Sequence, residues 1–175
     1  MRWVNAWAGV ALGATVFLAV CLPPMSELAF LEQALLFSMV AAGAVVDARR
    51  CIIPDVVWVG IVVLHLVFIC AYAAVDGLPP GAMLADAALG GFVLGGGLLA
   101  FTLAFEAITG TGQALGGGDI KLVFALGFAL GLGRGALALM LACAAFALYA
   151  GLLGRKRAYP FGPALAVGTC LVFLA

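Results

Sequence analysis

Apolar runs of membrane-crossing length recur along this 175-residue chain and leave it few possible folds. They cover residues 3–22, 27–46, 56–75, 83–108, 120–132, 136–153 and 159–175. Backbone in hydrocarbon must satisfy every N–H and C=O internally, which admits helices and closed barrels only. Barrel strands read as short segments of alternating polarity. These runs are continuous, and most approach the ~20 residues that a helix needs to span the bilayer. Charged residues make up 9% of the chain, against about 25% in soluble domains. The expectation is an all-α polytopic membrane protein, a bundle of six to seven transmembrane helices forming one membrane-embedded domain over residues 1–175.

Punctuation along the chain refines that expectation. The first run stops at Pro23-Pro24 with no small-x-small cleavage site before it, and reads as a retained helix. Ser26 can cap the second helix, with Glu27 in its first turn. Gly90-Gly91 and Gly95-Gly-Gly97 read as close approaches between membrane helices. His65, the sole histidine, reads as a packed interior residue. Residues 109–118 read as a flexible glycine-rich connection, and the short run 120–132 as starting inside a protein-lined region. The five cysteines are scattered singly without a Cys-x-x-Cys pair, so neither a zinc site nor a disulfide framework is expected.

Basic residues set the orientation. With seven spans and a cytoplasmic N-terminus, Arg2, Arg49, Arg50, Lys121, Arg155, Lys156 and Arg157 share the cytoplasmic side, leaving Arg134 outside. The net charge is zero, and no nucleic-acid partner is expected.

Two polar segments then fall on the same cytoplasmic face. One is Gly116-Gly-Gly118-Asp119-Ile-Lys121-Leu122, and the other is Asp47-Ala-Arg49-Arg-Cys-Ile-Ile-Pro54-Asp55. Ionisable groups at a bilayer boundary are costly and point to function, and glycine lets backbone take open conformations. Two carboxylates in a poorly hydrated site cannot both ionise easily, so one keeps a proton while the other acts as a base. Such a pair can activate water against an amide, as in aspartic proteases, and needs no metal. It can equally couple ion movement in a small carboxylate-dependent transporter. There is no His/Cys ligand cluster, no Gly-x-Ser-x-Gly elbow and no Gly-Lys-Ser/Thr after the glycines, so metal, serine-nucleophile and phosphate-loop chemistries have no sequence support. No cofactor is expected.

The segment from Gly116 to Leu122 resembles the Gly-x-Gly-Asp-x-Lys-Leu signature of bacterial type IV prepilin peptidases, the GxGD-type membrane aspartic peptidases. Asp47 through Asp55 is similar to that family's first motif, an Asp followed in the same short segment by (Ile/Leu)-Pro-(Asp/Asn), here Ile53-Pro54-Asp55. Arg49, in place of a second acid, resembles the short peptidases of tight-adherence (Flp-type) pilus systems. Pro160-Phe-Gly-Pro163 resembles the segment that opens the family's last helix. The resemblance implies an endopeptidase of the bacterial inner membrane that removes basic leaders from pilin-like precursors after a glycine, on the cytoplasmic side. It implies Asp47 and Asp119 as the catalytic pair, with Pro54, Gly116, Gly118 and Lys121 shaping the site. A role for Lys121 in bracing the loop or pairing with an acid stays open, as do substrate-leader roles for Asp55 and Glu106. The longer members carry a domain with paired Cys-x-x-Cys motifs and many also N-methylate the new terminus. This sequence has no such motif and no methyl-donor site that its residues reveal.

Overall fold

A computed structural model of the chain describes residues 13, 26–110, 115–153 and 159–174. The first expected span and the basic cluster Arg155-Lys156-Arg157 lie outside the described residues, apart from Gly13. All regular structure among the described residues is helical: α1 (Glu27–Arg50), α2 (Asp55–Val75), α3 (Pro80–Thr109), α4 (Gly117–Leu153) and α5 (Gly162–Leu174). The first four are long and apolar enough to cross a membrane, and α5 is a shorter apolar helix. Large side chains such as Phe92, Met140 and Leu152 face outward, as expected where lipid is the solvent. The chain is a polytopic α-helical membrane protein.

Local chemistry explains the boundaries. The Ser26 hydroxyl accepts from the Ala29 N–H at 3.2 Å and starts α1. That helix continues past the expected end at residue 46 to Arg50, so Asp47 lies in its last turn. Cys51 closes it in the left-handed conformation, φ 51°, with its N–H donating to the Asp47 carbonyl at 2.7 Å. Pro54 precedes α2 in extended backbone, and Pro80 occupies the first turn of α3, where a missing N–H costs nothing. α3 stops at Gly110, φ 62°. The expected connection 109–118 is shorter than anticipated, because Gly117 and Gly118 already belong to α4. The last helix starts at Gly162, three residues after the expected residue 159; Pro160 disfavours helical backbone at Tyr159 before it.

α4 is two helices in one. At Gly131 the backbone leaves helical geometry, φ 72° and ψ 176°. A Cβ built on Gly135 would lie 3.1 Å from the Gly127 Cα. Eight residues of straight helix would separate those positions by about 12 Å, so the chain reverses at Gly131. The expected division between runs 120–132 and 136–153 therefore corresponds to a real turn.

The chain forms two compact units. One is Pro54–Ala136, containing α2, α3 and the first arm of α4. Its core is glycine-mediated: Cβ atoms on Gly90 and Gly127 would fall 2.1 and 2.5 Å from each other's carbonyl oxygens. Gly91 and Gly95 pack on Phe124, whereas Gly96 and Gly97 meet nothing within 4 Å. His65 is buried edge-on to Phe128, ring centroids 5.8 Å apart. The other unit joins Met1–Ile53 with Leu137–Ala175. Here α5 seats Phe173 edge-on to Phe37 of α1, and Gly168 lies against the backbone of Ala138 and Ala142.

Candidate active site

Asp47 is buried in the last turn of α1, at 4% exposure, in the unit that also holds α5. Its Oδ2 accepts from the backbone N–H of Gly162 at 2.8 Å, a buried bond between residues 115 positions apart. Gly162 opens α5, so the carboxylate sits where the unpaired N–H groups and partial positive charge of a helix start are directed.

Asp119 belongs to the other unit, in the first turn of α4, and is partly buried. Gly116 provides the carbonyl that accepts from the N–H groups of Asp119 at 3.0 Å and Ile120 at 3.4 Å. A Cβ on Gly116 would come within 3.1 Å of the Asp119 Oδ2. Gly116 and Gly117 do not take positive φ. The expectation of open backbone in this run gives way to a different need at Gly116, which is room for the carboxylate.

Lys121 reaches across its unit to the start of α2. Its Nζ donates to Asp55 Oδ1 at 2.7 Å, and the Trp58 Nε1 donates to the same oxygen at 2.9 Å. The ammonium also stands 5.9 Å from the Trp58 ring centroid, within cation–π range. The Lys121–Asp55 pair is largely exposed, 49% and 69% by side chain, so it adds little to stability. What it does geometrically is tie the residue after Pro54 to the helix that carries Asp119. Glu106 lies one turn before the end of α3 and accepts from the Gly110 N–H through its backbone carbonyl at 2.9 Å.

Two of these partners escape sequence reasoning. Trp58 stands one helical turn after Asp55 and could be found from that spacing. No local pattern links Gly162 to Asp47. Among the described residues, no group of three His, Cys, Asp or Glu side chains is placed to hold a metal ion.

The profile of the type IV leader peptidase family matches residues 34–151, which include both polar motifs. A curated relative, the prepilin leader peptidase/N-methyltransferase of Bacillus subtilis (strain 168), is 32% identical over 143 residues, covering 78% of this chain and 52% of the relative. The chain thus spans about half the length of that relative. No solved structure matches it. With its family profile extending from α1 through the first arm of α4 and into the second, this chain belongs to the type IV leader peptidase family.

Proposed function

We propose that the chain is a membrane aspartic endopeptidase that removes the basic leader of type IV pilin-like precursors, cutting after a glycine at the cytoplasmic face of the bacterial inner membrane. The observation that carries this reading is the family match over residues 34–151, which takes in Asp47 and Asp119 within their motifs. In this reading the two carboxylates act as one catalytic pair. The ionised member takes a proton from water, whose oxygen bonds to the scissile carbonyl carbon. The protonated member gives its proton to the carbonyl oxygen. Collapse of the tetrahedral intermediate breaks the C–N bond: the proton first taken from water passes to the leaving amine, and one hydroxyl of the intermediate returns its proton to the second carboxylate as the carbonyl re-forms. Lys121, Asp55 and Trp58 brace the start of α4 against α2 and perform none of these steps.

The test is co-expression of the full chain with a precursor made of a basic leader, a glycine and an apolar helix, followed by gel mobility. Wild type should shorten the precursor. Asp47→Asn and Asp119→Asn, which keep size but remove the shared proton, should each abolish shortening at normal protein levels. The double variant should be hardly worse, because residues that act as a unit are not additive. Complete cleavage by Asp119→Asn would refute the pair and leave carboxylate-coupled transport as the competing reading.

A further inference from the structure

We propose that Gly162 is a positioning residue for the Asp47 carboxylate, holding it by a backbone N–H that only a residue without a side chain can bring close enough. The inference rests on the peptidase reading and concerns how one of its two acids is aimed.

Three observations carry it. The bond itself is buried and short, 2.8 Å from the Gly162 nitrogen to Asp47 Oδ2. The space at Gly162 is already taken: a Cβ there would lie 2.8 Å from Asp47 Oδ2, 3.0 Å from its Cβ and 3.2 Å from its Cγ. Gly162 does not adopt positive φ, so its backbone would accept alanine and the requirement is for room alone.

The segment around it is braced. Phe161 stacks edge-on to Phe146 at 5.2 Å between centroids. Tyr159 meets Phe146 at 6.3 Å and Tyr149 at 5.8 Å. Pro160 and Pro163 restrict φ on either side of the Phe161-Gly162 pair. An N–H mounted on so constrained a turn fixes the direction of the acid it binds. Asp47 Oδ2 is thereby committed to α5, which leaves Oδ1 as the oxygen for chemistry. A carboxylate free to rotate would present either oxygen, and a displacement of about 1 Å can cost ~10²-fold in rate.

The experiment uses the full chain in detergent micelles with the leader–glycine–apolar-helix precursor as probe, measuring kcat and KM separately. Two variants attack the contact. Gly162→Ala intrudes on the carboxylate, and an amide-to-ester replacement at Gly162 deletes the N–H without adding an atom. Phe173→Leu serves as a packing control, loosening α5 against Phe37 without touching Asp47. The expected result is a kcat loss of at least ~10-fold for the ester and ~10²-fold for Gly162→Ala, each with KM little changed. Phe173→Leu should lower the unfolding temperature while keeping kcat. Wild-type kcat in the ester variant would overturn the proposal even if Gly162→Ala fails to fold. An equal kcat loss in Phe173→Leu would also overturn it, because the effect would then report α5 packing. Asp47→Asn separates the levels: inactivity there beside a fully active ester variant rejects this inference alone, whereas full activity of Asp47→Asn rejects the aspartic-pair mechanism beneath it.

Discussion

Replacing Gly131 with alanine should destabilise the protein by about 1–3 kcal/mol, the sum of a conformational cost and a small steric one. The first is conformational. At φ 72° and ψ 176° the residue occupies backbone space that is essentially restricted to glycine, and a side chain there costs ~1–3 kcal/mol. The second is steric. An alanine Cβ would meet the Asp86 carboxylate, but that side chain is exposed and its end can swing away, so the contact adds no more than ~0.5 kcal/mol. Asp86→Ala removes the second cost and leaves the first. In that background Gly131→Ala should therefore lose the same ~1–3 kcal/mol, with a coupling below ~0.5 kcal/mol in a double-mutant cycle. The assay is reversible denaturation of the full chain in mixed micelles, followed by circular dichroism. A neutral Gly131→Ala, within ~0.5 kcal/mol of wild type, would refute the backbone argument. A cost that falls by more than ~1 kcal/mol in the Asp86→Ala background would refute the claim that Asp86 swings aside. The position matters because a straight α4 of 37 residues would be ~55 Å long, far beyond the ~30 Å hydrocarbon core.

Cys51→Gly should stabilise the chain by up to ~1 kcal/mol, since the left-handed cap of α1 at φ 51° favours glycine; a lower unfolding midpoint would contradict this. Asp55→Asn should retain substantial cleavage of the same precursor and leave the unfolding midpoint nearly unchanged, because its ion pair with Lys121 is largely exposed. Inactivity as complete as that of Asp119→Asn would move Asp55 into the chemistry. Chelators should leave cleavage intact, and loss of activity restored by zinc would remove the aspartic mechanism. In a cysteine-free background, single cysteines at Arg50 and Gly77 should label from the cytoplasmic and outer faces respectively; the reverse pattern would overturn the orientation read from the basic residues.

Much of this protein is written locally in its sequence. Apolar runs specify membrane helices because hydrocarbon offers the backbone no other partner, and Ser26, Pro80 and Gly110 mark helix ends through groups lying within a turn of themselves. The motifs around Asp47 and Asp119 are equally legible, since their spacing lies within single short segments. The contacts that hold Asp47 and Asp55 are not local. Gly162 stands 115 positions from Asp47, and Lys121 stands 66 from Asp55, separations at which no helical periodicity carries information. The glycines make the same point. In sequence Gly90, Gly95, Gly96 and Gly97 look alike, yet only the first two face a neighbouring helix closely enough to forbid a side chain. Gly131 reads as one more small residue in an apolar run until its chain reverses against Asp86. Composition determined that helices form in a membrane. Which glycine is a hinge, which a packing face and which a seat for a carboxylate was decided by what the folded chain placed against each one.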